Sequence, residues 1–165
     1  MSYTGDDIAG VGGWLAFFVI SMAFLSPLAM VVANAADLYG DPAVALAYGS
    51  VWGSVQLAIW TPVAVGIAIC WFISYRLMRV ERWSTVRLTI AAIWLLALGL
   101  NAVQLLLLSA VAQIPLGELM GPGSAEFGRG TVSAIIWTSY FLLSKRVANT
   151  YRRNADSEEL AERFA

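Results

Sequence analysis

Three uninterrupted apolar stretches dominate the chain, at about residues 13–36, 51–74 and 88–112, and none of them contains a charged residue. A helix needs about 20 mostly apolar residues to cross the hydrocarbon core of a bilayer. Each stretch reaches that length, so the pattern predicts three membrane-spanning helices. The first stretch is too long for the apolar part of a cleavable secretory signal, and no basic residue precedes it.

A fourth apolar stretch, residues 131–144, is short for a span when counted alone. The Gly-Pro-Gly sequence at residues 121–123 predicts a break, and Ser124 behind it predicts a helix N-cap. A helix that begins there is long enough, so we predict the fourth span at about residues 125–144. In the loop after the first span, Asp41 before Pro42 predicts another helix start at the proline.

The basic residues predict the orientation of the spans, because Lys and Arg accumulate on the cytoplasmic side of membrane proteins. Nine of the ten lie between the second and third spans or after the fourth, whereas Arg129 alone lies in the third loop. The nine are Arg76, Arg79, Arg82, Arg87, Lys145, Arg146, Arg152, Arg153 and Arg163. Both termini are therefore expected in the cytoplasm, and an even number of spans agrees with both ends lying on one side.

These patterns predict an all-α, integral membrane four-helix bundle. We expect a cytoplasmic N-terminal tail at residues 1–12, a four-span domain at residues 13–153 and a polar cytoplasmic tail at residues 154–165. The composition agrees with an integral membrane protein, since 59% of the residues are hydrophobic and 13% are charged. Soluble domains have about 45–50% apolar and about 25% charged residues.

Few residues of this chain could perform chemistry. It has no histidine, and its single cysteine, Cys70, cannot form a disulfide within the chain. No ionisable side chain lies at mid-depth in the predicted spans, where proton- or ion-coupled pumps carry one. We therefore expect a protein that is not an enzyme, that has no catalytic or metal-binding residues and no cofactor, and that does not bind nucleic acid.

Among the uncharged polar residues within the predicted spans, we single out Gln56, Asn101 and Gln104. Two of them, on the third span, are three residues apart and so share a helix face. One interpretation is hydrogen bonding between helices. The other is a polar lining for a small channel or transporter, or for a lipid- or quinone-type ligand.

The basic residues at the cytoplasmic side also have two interpretations. Each one near an anionic leaflet contributes roughly 1 kcal/mol of attraction, so they predict contact with membrane lipids. The eight candidates are Arg76, Arg79, Arg82, Arg87, Lys145, Arg146, Arg152 and Arg153. The alternative, which is more specific, is a surface at which these residues bind a lipid headgroup or an acidic partner.

Two motifs at opposite ends of the chain are similar to those of a known family. The first, at residues 12–15, reads Gly-Gly-Trp-Leu; the second reads Tyr-Phe-Leu at residues 140–142, then Ser-Lys-Arg-Val at 144–147 and Asn-Thr-Tyr at 149–151. With these motifs the chain resembles the DUF2569 family of small bacterial inner-membrane proteins. The resemblance implies a helical, multi-pass inner-membrane protein and no known activity.

The chain has abundant apolar surface but no residues that we expect to be catalytic or metal-binding. This combination favours a binding role. We expect an accessory or assembly subunit of a larger membrane complex in the bacterial inner membrane, or a homo-oligomer. The alternatives are the small channel or transporter and the lipid- or quinone-type ligand-binding protein named above.

Overall fold

The computed structural model describes residues 10–151, apart from the side chains of residues 122–124 and 126. Every regular element in that part of the chain is helical, as predicted. The helices are α1 (Trp14–Tyr39), α2 (Pro42–Tyr48), α3 (Trp52–Arg79), α4 (Trp83–Ala112), α5 (Leu116–Leu143) and α6 (Lys145–Thr150). A single 3-10 turn, Gly49–Val51, joins α2 to α3.

Three helical segments in the described residues are long and apolar enough to cross a membrane. They are Trp14–Tyr39 with 26 residues, Pro42–Arg79 with 38 and Trp83–Ala112 with 30. The second and third segments contain a whole apolar stretch and extend beyond it, and the first begins one residue later than its stretch and ends three residues after it. The extra turns add polar and aromatic residues at the ends, where hydropathy alone does not mark a helix.

The predicted start of the last long helix is wrong. Instead of breaking at residues 121–123, α5 begins at Leu116, directly after Pro115, and runs without interruption to Leu143. A proline inside a helix costs one backbone hydrogen bond, whereas a break leaves several amide and carbonyl groups without an intrahelical partner. The proposed N-cap side chain of Ser124 lies outside the described side chains.

The predicted start of α2 is confirmed. The Asp41 side chain accepts a hydrogen bond of 2.8 Å from the amide of Ala43, and Pro42 is the first helical residue. A carboxylate in this position satisfies one of the amides that a helix start leaves without a partner. Asp41 thereby starts the short helix that leads into α3.

Packing places α3 at the centre, with α1 on one side and α4 on the other, and α5 packs against α4. Gly66 of α3 lies close to both neighbours: an added Cβ would be 3.1 Å from Leu100 and 3.2 Å from Met30. The larger core cluster joins Leu15 and Phe18 to Phe141 and Tyr151. It therefore closes the end of the bundle that carries both described chain ends.

Candidate functional site

The first and last long helices, α1 and α5, touch through aromatic rings near one end of the bundle. Phe18 of α1 packs edge-on against Trp137 and Phe141 of α5, with ring centroids 4.6 and 4.9 Å apart. Tyr140 adds a further edge-on contact to Trp137 at 5.8 Å. Edge-to-face pairs of this kind add about 0.5–1.5 kcal/mol beyond the area that they bury. The rings hold the two helices together at this end.

Beyond these rings, α1 and α5 separate and leave a cleft of about 250 Å³. Its walls come from α1 and α5 and its floor from α4; residues that contribute include Ser21, Met22, Met30, Ala97, Asn101 and Ser133. The lining is mostly apolar with a few hydroxyl and amide groups, which is typical of sites for small apolar molecules.

Both π-helical turns of the described structure lie at this cleft. One is Ser21–Leu25 in α1 and the other is Leu95–Gly99 in α4. A π turn widens the helix by one residue, changes where backbone carbonyls point and occurs often at functional sites. The Ser21 hydroxyl is buried and has no hydrogen-bond partner among the described residues. The cleft is therefore lined by irregular backbone on two of its three sides.

A close contact between α4 and α5 forms one edge of the cleft. An added Cβ at Gly130 would lie 2.9 Å from the carbonyl oxygen of Ala97, which is in the π turn of α4. The Asn101 side-chain amide donates to the same oxygen at 2.8 Å. Only glycine lets the two backbones approach this closely, so Gly130 serves helix packing inside the bundle. Gly49 and Gly53 have open space around them instead.

A second cavity of about 440 Å³ runs along the outer surface of α5 and adjoins the cleft. It is lined by Gly128, Arg129, Val132, Ser133, Ile136 and Trp137, and the cleft shares Ser133 and Trp137 with it. We call this cavity the α5 groove. One arginine marks the end of the groove farthest from the aromatic rings, and apolar side chains form the rest.

The structure gives each of the three predicted intramembrane polar residues a separate protein partner. The Gln104 amide donates to Asn34 of α1 at 2.8 Å, and the Gln56 amide donates to the Tyr39 hydroxyl at 3.0 Å. Asn101, as described, bonds to its own helix and lines the cleft. Two of the three thus connect helices, and Asn34 and Tyr39 are partners that the sequence did not single out.

The predicted basic residues that the structure describes lie at the end where the chain termini meet. Arg79, Arg82, Arg87 and Lys145 are exposed, whereas Arg76 and Arg146 are half-buried. The Arg76 guanidinium lies 5.9 Å from the centre of the Phe72 ring. Arg152 and Arg153 lie outside the described residues. The structure therefore brings the loop cluster and the α6 cluster to one end of the bundle.

The two sequence motifs at the ends of the chain contact each other. The Gly10 amide donates to the Thr150 hydroxyl at 2.9 Å, across 140 residues of sequence. An added Cβ at Gly12 would lie 2.7 Å from a guanidinium nitrogen of Arg146. Ser144 caps α6 by accepting from the Val147 amide at 3.4 Å. We call the contact between residues 10–12 and α6 the terminal clasp.

The last described residue, Tyr151, fixes α6 to the end of α3. Its ring is fully buried, and its hydroxyl donates to the Leu77 carbonyl at 2.8 Å. Burial raises the pKa of the Tyr151 hydroxyl well above its usual value, and the negative charge of Glu81 raises it further. The hydroxyl therefore stays protonated at neutral pH and keeps donating to Leu77.

Sequence reasoning did not find the cleft, the α5 groove or the π turns. Their only sequence signals were Pro27, close behind the first π turn, and the two glycines that flank Arg129. The cleft depends on where α1 and α5 diverge, and 77 positions separate the end of α1 at Tyr39 from the start of α5 at Leu116. No local pattern encodes that separation.

Taken together, the described residues form an all-helical structure in which three helical segments have the length and composition of membrane spans. The chain belongs to the family described as "Protein of unknown function (DUF2569)", whose model matches residues 8–152. The resemblance seen in the terminal motifs is thereby confirmed. No curated protein and no solved structure matches the chain.

Proposed function

We propose that this protein spans the bacterial inner membrane four times, with both termini in the cytoplasm. The terminal clasp supports this arrangement: Gly10 and Thr150 are hydrogen-bonded, so the chain between them crosses the membrane an even number of times. The three long apolar segments then need a fourth crossing, for which α5 has 28 residues, or about 42 Å. The basic residues near the clasp favour the cytoplasm for that side.

Cysteine labelling in intact cells tests this topology. In a Cys70→Ala background, Ser84→Cys and Asn149→Cys should react with an impermeant maleimide only after the membrane is opened. Gly117→Cys should react in intact cells, because it precedes the fourth span on the outer side. All three positions are exposed in the structure. Labelling of Gly117→Cys and Asn149→Cys from the same side would exclude the fourth span.

Within the membrane, we propose a non-catalytic role as an accessory or assembly subunit of a larger membrane complex. The observation that carries this proposal is an exposed aromatic face where α1 meets α3, formed by Phe24, Trp71 and Tyr75. Their exposed fractions are 71%, 60% and 59%. Tryptophan and tyrosine are enriched among residues that dominate protein–protein binding, because they bury large rigid surfaces.

Photocrosslinking from this face tests the subunit role. A photoreactive amino acid in place of Tyr75 should give one discrete protein adduct in cells, and an adduct of twice the chain's mass would identify a homo-oligomer. The control is the same amino acid in place of Leu46, an 82% exposed residue of α2. Lipid adducts alone at both positions would contradict the proposal.

The cleft between α1 and α5 favours a second function, the binding of a lipid-type ligand. It is mostly apolar and adjoins a groove on the surface of α5, through which a molecule in the bilayer could enter sideways. This function is compatible with a subunit role, since a bound lipid can form part of an interface. Comparing the lipids that copurify with wild type and with a cleft-filling variant would test it.

A further inference from the structure

We propose that the cleft between α1, α4 and α5 binds the ring of an isoprenoid quinone, with a ring carbonyl that accepts a hydrogen bond from the Ser21 hydroxyl. This inference deepens the ligand-binding function proposed above and rests on it. The ring lies in the cleft, and its apolar tail leaves sideways into the bilayer. The unpaired hydroxyl, the uncharged lining, the depth in the membrane and the aromatic surfaces of the cleft support it.

The Ser21 hydroxyl is the first indication of a ligand. Its oxygen is buried and has no hydrogen-bond partner among the described residues, and the Ser21 side chain lines the cleft. Buried hydroxyl groups in native structures are paired, because an unpaired one has lost its hydrogen bonds to water without replacement. A molecule in the cleft with a hydrogen-bond acceptor would supply the partner that the protein does not.

The lining of the cleft favours a neutral ligand. None of the described residues that line it is charged, and its polar groups are serine hydroxyls and the Asn101 amide. A charged molecule would lose its hydration here without meeting an opposite charge, whereas a carbonyl oxygen needs only a donor such as Ser21. The described lining also contains no titratable group that could supply a proton for reduction of the ring. The site therefore holds the quinone and does not reduce it.

The depth of Ser21 distinguishes a quinone carbonyl from the ester carbonyl of a bilayer lipid. Ser21 lies seven residues after Trp14, the first residue of α1, which is about 10 Å along the helix axis. Trp14 is 69% exposed, as expected for a tryptophan at the membrane surface. Because half of the hydrocarbon core is about 15 Å thick, Ser21 lies about two thirds of the way to its centre, whereas lipid esters lie in the interfacial region. A quinone carbonyl, on an uncharged and otherwise apolar ring, can reach this depth.

The apolar side chains of the cleft suit a flat ring. Phe18 and Trp137, whose rings pack against each other, line one end of it. Met22 and Met30 also line it, and flexible thioethers make favourable contacts with ring systems. The volume of about 250 Å³ is below the roughly 300–1,000 Å³ of sites that enclose a drug-sized molecule. The cleft therefore accommodates a ring-sized head and not a whole lipid.

The tail of the quinone has a way out of the cleft. Ser133 and Trp137 line both the cleft and the α5 groove, so the two cavities adjoin. A tail that passes Ser133 reaches the outer surface of α5 and the surrounding lipid. The ring can therefore enter the cleft from within the bilayer without passing through water.

Native mass spectrometry of the purified full chain in detergent tests the site. The protein is titrated with decylubiquinone or with dioctanoylglycerol, a neutral lipid whose carbonyls belong to esters. Wild type should bind decylubiquinone about fivefold more tightly, as expected for one additional hydrogen bond. Ser21→Ala should remove this preference. Ser139→Ala, at an exposed serine that does not line the cleft, should retain it.

Thermal unfolding separates a binding role of the Ser21 hydroxyl from a structural one. Without ligand, Ser21→Ala should be as stable as wild type or more stable, because it removes a buried hydroxyl that has no partner. Decylubiquinone should raise the melting temperature of wild type more than that of Ser21→Ala. A ligand-free Ser21→Ala protein that is less stable than wild type would overturn the inference, since the hydroxyl would then have a partner within the protein.

A pair of tryptophan variants tests the position of the ring. Ser133→Trp places a large side chain at the mouth of the cleft and should weaken the binding of decylubiquinone, whereas Ser139→Trp should not. Equal binding by the two variants would place the quinone elsewhere. Circular dichroism verifies that each variant is folded. If Ser133→Trp fails to fold, Ser21→Ala and Ser139→Ala decide the site by themselves.

Two further results would overturn the inference: equal affinity of wild type for decylubiquinone and dioctanoylglycerol, or equal affinity of Ser21→Ala and Ser139→Ala for decylubiquinone. The comparison of copurified lipids tests the ligand-binding function separately. If Ser133→Trp loses a lipid that copurifies with wild type, but wild type does not prefer decylubiquinone, the ligand-binding function stands and the quinone assignment is wrong. If no lipid copurifies and decylubiquinone does not bind, both are wrong.

Discussion

The indole N–H of Trp71 in α3 donates a hydrogen bond of 3.0 Å to the backbone carbonyl of Ala23 in α1. The residue four positions after Ala23, whose amide would bond to this carbonyl in a regular helix, is Pro27, and proline has no amide proton. A side chain 48 residues away thus satisfies an acceptor that α1 cannot satisfy in the regular way. This bond secures the first π turn to the central helix.

Trp71→Phe should therefore lower the free energy of unfolding by about 1 kcal/mol, because a carbonyl in an apolar environment loses its donor. Pro27→Ala restores an amide proton at position 27. In this background, Trp71→Phe should lower the free energy of unfolding by less than it does in wild type. A double-mutant cycle, measured by denaturant unfolding in detergent, gives the coupling between the two positions. Additive effects would show that Trp71 acts by packing alone.

Gly130→Ala should destabilise the contact between α4 and α5 by about 1–3 kcal/mol, since its new methyl group must push against the backbone of Ala97. Gly128→Ala is a matched control two residues away, where a methyl group meets nothing within 4 Å. The control should be neutral or stabilising, because alanine favours helices. Thermal unfolding of both variants in one detergent makes the comparison, and equal melting temperatures would contradict the contact.

Thr150→Val keeps the shape of a buried side chain but removes the hydroxyl that receives the Gly10 amide. We expect the amide of Gly10 to exchange faster with solvent, by about tenfold for the loss of roughly 1.4 kcal/mol of local protection. Hydrogen–deuterium exchange followed by mass spectrometry of the N-terminal peptide measures this effect. Asn149→Ala, at an exposed neighbour, should leave the exchange unchanged.

Tyr151 makes the stability of the protein fall at alkaline pH. Below about pH 10 the hydroxyl is protonated in both the folded and the unfolded chain, so its hydrogen bond to Leu77 contributes fully. Above about pH 10 the unfolded chain releases the proton first, because burial raises the pKa of Tyr151 in the folded protein. The free energy of unfolding should then decrease by at most about 1.4 kcal/mol per pH unit.

The comparison with Tyr151→Phe isolates this effect from the titration of other groups. The variant should be less stable near neutral pH, since it lacks the bond to Leu77, but its stability should depend less on pH between about pH 9 and pH 11. Thermal unfolding across that range measures the difference. Parallel pH profiles of wild type and variant would show that the hydroxyl does not keep its proton in the folded state.

Local signals predicted the elements of this fold unevenly. Asp41 before Pro42 predicted the start of α2 correctly, because a cap needs only residues that are adjacent in sequence. The Gly-Pro-Gly sequence predicted the start of α5 incorrectly. There the helix continues through residues with an unfavourable intrinsic preference, since ending it would leave several amide and carbonyl groups without an intrahelical partner.

The sequence alone determined the helical class, the three long apolar segments and the family to which the chain belongs. It could do so because the energetic cost of leaving backbone groups unpaired in hydrocarbon makes length and hydropathy sufficient signals. Only the tertiary structure decided which groups form hydrogen bonds between distant parts of the chain: the side chains of Gln104 and Asn34, the Trp71 indole with the Ala23 carbonyl, and the Gly10 amide with the Thr150 hydroxyl. These contacts, like the cleft between α1 and α5, depend on how the helices pack, which local periodicity does not encode.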